Sequence, residues 1–286
     1  MGSYKKHIII TGSARSGTSW LSETISQAFR YRLLFEPDHP DHVREASFLA
    51  DRLLVNSDDT KEVNRFLERI LGNAIDNDWI AQNSNRKYKM HLWPFLPKKY
   101  IIKLIRSNLA MHHISATYNI PIIHIIRNPY HVLFSQRRVR FPWLYDLSIF
   151  QSQYDVVALI KEKTGLDIRR KDFSELQILA IRWAIENIVP LKWQGDFVGQ
   201  VEVVKYEDLK NDISVYKNLC SIFNLKVIPN IEEVYSKPSS KTHPKSEINR
   251  GGQDEVQQFY KIELEEINEV LKAFGGHFYQ VKSEVS

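Results

Sequence analysis

The stretch that decides the fold runs from His7 to Ile25 and reads HIIITGSARSGTSWLSETI. It begins with three isoleucines, a β-branched run short enough for a buried parallel strand. A loop of small residues follows from Thr11 to Ser16, and from Gly17 onward apolar residues recur at helical spacing. A strand, a tight loop and a helix in this order form a cradle for an anion, because the loop N–H groups and the helix N-terminus point at one spot.

This cradle departs from the phosphate loop of nucleoside triphosphatases, which reads G-x-x-x-x-G-K-[ST]. Gly12 and Gly17 keep the glycine spacing, but Thr18 stands in the lysine position and the cation has moved to Arg15. In triphosphatases the lysine neutralises a terminal phosphate and the following hydroxyl holds magnesium. A nucleotide with a singly charged end group and no metal needs neither, and a sulfuryl group on a phosphate fits that description.

A second strand-to-helix motif follows the apolar run Ile122–Ile126. Arg127 leaves the end of this predicted strand, and Pro129 suits the first turn of the helix that follows. Arg127 offers a planar fork for phosphate oxygens, and Ser135, eight residues further on, adds a hydroxyl donor. The motif predicts a second anion-binding site, at the end of a neighbouring strand.

Together the two motifs resemble those of the sulfotransferases that use 3′-phosphoadenosine 5′-phosphosulfate (PAPS). RSGTSW is similar to the 5′-phosphosulfate loop of that family, and R-N-P with its later serine is similar to the 3′-phosphate element. The resemblance implies that Arg15 stabilises the leaving group, and that Arg127 and Ser135 hold the 3′-phosphate. It also implies a set of residues that hold the 5′-phosphate and flank the adenine: Ser16, Gly17, Thr18, Ser19 and Trp20.

The resemblance also suggests which residues act on the acceptor. Glu36 follows a predicted strand, Tyr31–Phe35, at the position of an acidic general base, although capping of the next helix is equally open. Lys103 matches a lysine that approaches the sulfuryl group, the alternative being a strand-end lysine that reaches solvent. Cytosolic members carry a histidine two residues after this lysine, and Ile105 stands there instead, so the base assignment moves to Glu36. His39 reads as a solvated loop histidine.

Two further segments resemble the family more weakly. Tyr206 opens a Tyr-Glu-Asp-Leu sequence after an apolar strand, where the family places a tyrosine near the adenine. A strand-to-helix turn is an equally physical interpretation of that sequence. Arg250, Gly251 and Gly252 resemble a basic turn that covers the 3′-phosphate, although a linker of the same composition is ordinary.

Composition narrows the class of protein. The chain has 286 residues, 43% of them hydrophobic, with a formal net charge of +5, which suits an anionic ligand and gives no case for nucleic acid. A single cysteine excludes an intrachain disulfide, and no cluster has metal-ligand spacing. Because no apolar stretch is long enough for a membrane span, we expect a cytoplasmic protein.

We therefore predict one α/β domain over residues 1–286, with a three-layer, P-loop-like architecture and a mostly parallel sheet of about five strands flanked by helices. The predicted activity is sulfuryl transfer from PAPS to a hydroxyl or amine of a small-molecule or carbohydrate acceptor, with Glu36 as general base and no metal. Two alternatives stay open: a metal-dependent nucleotide phosphotransferase with an altered loop, and a nucleotide-binding module without catalysis.

Overall fold

The β-branched run near the start of the chain forms the centre of a parallel sheet. The computed structural model describes residues 6–28, 31–54, 60–75, 77–82, 99–235, 237, 259–276 and 278–280. Within them lies a five-stranded sheet of order β2-β3-β1-β4-β5. Its strands are β1 (Ile8–Thr11), β2 (Tyr31–Phe35), β3 (Lys99–Leu104), β4 (Ile122–Ile126) and β5 (Val201–Lys205). Every strand pairs in parallel with its neighbours, which confirms the predicted fold class.

The helices account for most of the remaining described chain. The α-helices are α1 (Thr18–Ser26), α2 (Thr60–Leu71), α3 (Asp78–Ala81), α4 (Met111–Tyr118), α5 (Pro129–Val139), α6 (Ser148–Gln151), α7 (Tyr154–Thr164), α8 (Glu175–Ile188), α9 (Tyr206–Asn211), α10 (Ile213–Ile222), α11 (Ile231–Tyr235) and α12 (Lys261–Ala273). Shorter 3-10 helices span Arg44–Phe48, Asn108–Ala110 and Pro142–Tyr145, and a π-helix spans Val189–Trp193.

The central strand β1 is buried on both faces, which is why it is apolar at successive positions. Ile9 points into a core that includes apolar residues of α2 and α4, whereas Ile8 and Ile10 point into a core that includes residues of α1 and α10. A further apolar cluster joins α5, α8 and α12. The arrangement is the three-layer architecture that the sequence predicts.

The segment between β2 and β3 differs from its sequence-based interpretation. The sequence predicts helical structure from Val43 to Asn83, with a helix start at residues 58–60 and an apolar stripe at residues 66–75. The described part forms a 3-10 helix and then the separate helices α2, which begins at Thr60 as predicted, and α3. Asp51 and Asn73 adopt positive φ angles of 56° and 51°, and such backbone breaks a helix at each place. The domain extent of 1–286 stays a prediction.

The strand register places the carboxyl ends of β1, β2 and β3 side by side, so that the loops that follow them lie at the same edge of the sheet. Thr11 pairs with Leu104 of β3 on one side and with His124 of β4 on the other. Phe35 pairs with Lys103, so the end of β2 lies beside the end of β3. In open parallel sheets ligands bind at this carboxyl edge, where the winding of the chain reverses.

Among the described helices, none combines the length and the apolarity that crossing a bilayer requires.

Candidate nucleotide-binding and transfer site

Two glycines hold the loop after β1 tightly against its neighbours. Gly12 has a φ of 139°, and a Cβ atom there would lie 2.3 Å from the carbonyl oxygen of Ile125 in β4. Gly17 has a φ of 94°, and its Cβ would lie 2.4 Å from the ring of Tyr206. Both the left-handed backbone and the close approach require glycine. The glycine spacing seen in the sequence is therefore a consequence of packing against β4 and α9.

The loop contains a buried hydroxyl group without a partner. Ser16 is fully buried, and its Oγ makes no hydrogen bond with any described residue, although its backbone N–H donates to the carbonyl of Ser13 at 3.1 Å. A buried polar group left unsatisfied costs about 1–3 kcal/mol. A phosphate oxygen in the cradle would satisfy this hydroxyl, so the residues present fit an anion at the N-terminus of α1.

Four of the predicted donor-binding residues meet at one end of this loop. The Arg15 Nε donates to the Ser135 Oγ at 3.0 Å, and the Arg127 Nη1 donates to the Arg15 carbonyl at 3.0 Å. The Arg127 guanidinium also lies 4.7 Å from the centre of the Tyr206 ring. Arg15 and Arg127, which are 112 positions apart in the chain, thus lie together beside the glycine loop, with the Ser135 hydroxyl next to them.

The turn that carries Arg127 is held from both sides. The Trp183 indole N–H donates to the Arg127 carbonyl at 3.2 Å. The N–H of Asn128 donates to one carboxylate oxygen of Glu207 at 2.9 Å, and the Tyr279 hydroxyl donates to the other at 2.7 Å. Because Glu207 follows Tyr206 in α9, the acidic residue fixes the arginine turn relative to the aromatic ring.

A buried ion pair lies at the ends of β2 and β3. The Lys103 Nζ lies 2.5 Å from a carboxylate oxygen of Glu36 and donates to the Ser19 hydroxyl at 2.7 Å. Lys103 is 3% exposed and Glu36 is 7% exposed, so the lysine is not directed to solvent, and Glu36 does not cap the 3-10 helix that follows, whose N-cap is Val43. Ser19 belongs to the first turn of α1, and the pair therefore borders the phosphate cradle.

Next to the ion pair, Asp38 and His39 are buried as well. Asp38 accepts from the Arg106 backbone N–H at 2.7 Å and from the Ser107 hydroxyl at 2.9 Å. Burial raises the pKa of Asp38 to about 7. His39 is 8% exposed, and burial lowers its pKa to about 4, so the expectation of a solvated loop histidine is wrong.

A polar network behind the loop was not predicted from the sequence. Asn187 donates to the Ser13 hydroxyl at 2.7 Å and contacts the His124 Nε2 at 3.1 Å, and the other His124 nitrogen contacts the Thr11 hydroxyl at 3.0 Å. Burial lowers the pKa of His124 to about 4, so this ring is neutral. Asn108 accepts from the Gly12 N–H at 3.0 Å. The sequence signal that could have revealed this network is a polar residue inside an otherwise apolar element, His124 in β4 and Asn187 in α8.

The remaining predicted residues are less closely connected. The Trp20 indole N–H donates to the Lys237 carbonyl at 3.1 Å, and its ring meets that of Tyr235 edge-on at 5.0 Å. Arg250, Gly251 and Gly252 lie outside the described residues. Within the described ranges, three or more metal-ligating side chains do not gather at any point.

Solved structures that the chain matches include sulfotransferases. The sulfotransferase domain from the curacin biosynthetic pathway matches at 17% identity and a TM-score of 0.42, over 83% of this chain and 80% of that one. The sulfotransferase domain of a Synechococcus olefin synthase matches at 15% and 0.40, over 96% and 94%. A mouse sulfotransferase complexed with PAP matches at 13% and 0.41, over 96% and 85%.

No family model and no curated protein matches the chain. The likeness to these solved sulfotransferases is a likeness of fold at low identity. At these identities and TM-scores it carries no argument about activity, donor or acceptor, which are therefore argued from the chain's own residues.

Proposed function

We propose that the protein transfers a sulfuryl group from PAPS to a hydroxyl or amine of a small-molecule or carbohydrate acceptor. The observation that carries this proposal is the convergence of Arg15, Arg127 and Ser135 on a glycine loop that lacks the triphosphatase lysine. The Lys103–Glu36 pair lies at the next strand end, where an acceptor can meet the transferred group.

On the donor side, the two phosphate-bearing ends of the adenosine nucleotide would have separate binding sites. Arg127 and Ser135 would bind the 3′-phosphate, since a guanidinium fork and a hydroxyl both donate to phosphate oxygens. The loop from Ser16 to Ser19, including the unsatisfied Ser16 hydroxyl, would bind the 5′-phosphate. Trp20 and Tyr206 would flank the adenine.

On the acceptor side, Glu36 would take the proton from the acceptor while the acceptor oxygen or nitrogen bonds to sulfur. The bond between sulfur and the bridging oxygen breaks, and its electron pair stays on the 5′-phosphate. Arg15 would stabilise the charge that develops there, which requires its guanidinium to turn from Ser135 toward the bridging oxygen. Lys103 would neutralise the transferred group, because its Nζ already lies between Glu36 and the first turn of α1.

The decisive experiment compares two nucleotides that differ by the 3′-phosphate. Arg127→Ala should weaken binding of adenosine 3′,5′-bisphosphate (PAP) at least about tenfold, because a hydrogen bond to a charged group contributes about 1.5–3 kcal/mol. Binding of adenosine 5′-phosphate should stay unchanged, since the glycine loop holds the 5′-phosphate. Isothermal titration calorimetry measures both affinities.

Arg137→Ala is the matched control, because Arg137 lies in the following helix and pairs with Glu263 at 2.8 Å. It should leave both affinities unchanged. Equal loss of both nucleotides in Arg127→Ala would assign Arg127 to loop architecture rather than to the 3′-phosphate. Tighter binding of magnesium ATP than of PAP by the wild-type protein would favour a phosphotransferase.

A further inference from the structure

Arg106 is a buried cation that forms no ion pair with a carboxylate among the described residues. It is 4% exposed, and within the described residues its guanidinium makes one hydrogen bond, from Nη2 to the His39 Nε2 at 3.2 Å. Its Nε is buried and makes none. His39 is a neutral partner, because burial lowers its pKa to about 4. Burying a guanidinium in this way is costly unless an anion meets it.

Two other buried cations, Arg182 and Lys103, are neutralised by carboxylates. Arg182 lies 3.1 Å from a carboxylate oxygen of Asp51 and 3.2 Å from one of Glu186, and Lys103 pairs with Glu36. The Asp38 carboxylate accepts a hydrogen bond from the Arg106 backbone and none from its guanidinium, although the nearby positive charge of Arg106 acts to lower the pKa of Asp38. Because the pKa of Asp38 is about 7, this group carries only part of a negative charge at neutral pH.

Arg106 lies on the side of the site where we place the acceptor. Arg106 follows β3 at the carboxyl edge of the sheet, and His39, which it contacts, donates its backbone N–H to the Glu36 carbonyl at 3.2 Å. Trp143 covers one face of the guanidinium, with the Arg106 Cζ 3.7 Å from the ring centre. The Arg106 guanidinium therefore contacts His39, and His39 is in turn hydrogen-bonded to the backbone of Glu36, the residue that we assign as general base.

A second donor lies beside the guanidinium. The Arg106 Nη2 can only donate, so the His39 Nε2 accepts and the proton of the neutral ring is on Nδ1. Among the described residues this buried Nδ1–H has no hydrogen-bond partner, and the Asp41 carboxylate lies 3.9 Å from it. Two N–H groups, the His39 Nδ1 and the Arg106 Nε, are thus available on neighbouring side chains. Unsatisfied buried donors next to an uncompensated positive charge are what an oxyanion would satisfy.

We propose that Arg106, assisted by His39, binds an anionic group of the acceptor, so that the substrate is a hydroxyl or amine compound carrying a carboxylate, phosphate or sulfate. This inference rests on the proposed sulfuryl transfer and adds the charge class of the acceptor to it. A planar guanidinium binds such groups through two parallel hydrogen bonds, which fixes the acceptor's orientation relative to Glu36.

Matched pairs of acceptors test the charge preference without any variant. 4-Hydroxyphenylacetate is compared with 2-(4-hydroxyphenyl)ethanol, and methyl glucuronide with methyl glucoside, with PAPS as donor. We expect kcat/KM at least about tenfold higher for the anionic member of each pair that is turned over. Equal rates, or a preference for the neutral member, would overturn the inference.

A binding measurement tests the same residue without turnover. The protein is first saturated with PAP to occupy the glycine loop, and sodium sulfate is then added against sodium chloride of equal ionic strength. Sulfate should raise the melting temperature by at least about 2 °C through a second anion site. Arg106→Gln should lose this shift, whereas Arg65→Gln, an exposed arginine paired with Glu62, should keep it.

The outcomes separate the two proposals. Absence of PAP binding would refute the proposed function, whereas normal PAP binding with no sulfate-specific shift would refute only the role of Arg106. If Arg106→Gln lowers kcat/KM equally for anionic and neutral acceptors, Arg106 does not recognise acceptor charge. Circular dichroism establishes that the variant is folded, and the acceptor pairs test the wild-type protein independently of it.

Discussion

Replacing Asp38 with Asn should make the protein more stable than the wild type near neutral pH, by an amount that grows as the pH rises. Asp38 is fully buried, and burial is the main cause that raises its pKa from 3.8 to about 7. The folded state therefore keeps a proton that the unfolded chain has already released. Since the unfolded state binds fewer protons between these two values, stability falls as pH rises through this window.

The magnitude follows from the two pKa values. One pKa unit corresponds to about 1.36 kcal/mol, and between pH 4.5 and 7.5 the wild type should lose about 3 kcal/mol relative to Asp38→Asn. The amide of Asn can still accept from the Arg106 N–H and the Ser107 hydroxyl, so the hydrogen bonds to the loop are kept. The buried histidines change stability in the opposite sense, but both proteins contain them and their contribution cancels.

Urea unfolding of both proteins at four pH values between 4.5 and 7.5 measures the difference in free energy of unfolding. Asp41→Asn is the control, because Asp41 lies in the same loop with its side chain 75% exposed. Its difference from the wild type should be small and flat across the range. A flat difference for Asp38→Asn would show that the Asp38 carboxyl is ionised in the folded protein, contrary to the argument from burial.

Three further variants address the site directly. Arg15→Ala should lower kcat about a hundredfold while weakening PAP binding much less, since leaving-group charge develops only in the transition state; equal losses in steady-state kinetics and calorimetry would contradict this role. Glu36→Gln should lower kcat about a hundredfold or more with PAP affinity unchanged, and near-normal turnover would exclude Glu36 as the base. Gly17→Ala should destabilise the fold by about 2 kcal/mol or more and weaken PAP binding, because its φ is 94° and the new Cβ would meet the Tyr206 ring. Unchanged urea midpoint and affinity would show that the loop can move away from α9.

The strands and the positions of the glycine loop and the Arg127 turn could be predicted because they depend on short-range patterns. Ile8–Thr11 and Tyr31–Phe35 are apolar runs of strand length, and both form the expected strands. Gly12, Gly17 and Arg127 follow strand ends, and residues in that position reach the carboxyl edge of a parallel sheet whichever way the strands are ordered. Their roles in binding PAPS, and the cytoplasmic location, stay predictions.

Other features depended on contacts that no local pattern contains. The chain's own order does not say that β3 and β4 both flank β1, yet this neighbourhood brings Arg127 to the Arg15 carbonyl. Lys103 could be a solvent-directed lysine or an ion-pair partner, and only the pairing of β2 with β3 decides for the contact with Glu36.

From its own sequence, then, this chain determines a buried central strand, a glycine loop able to hold an anion and a second cationic turn, since β-branched runs and glycine spacing act over a few residues. The tertiary structure alone decides which charges are neutralised. Arg182 forms ion pairs with two carboxylates, whereas Arg106 forms none within the described residues, and this difference arises from long-range packing.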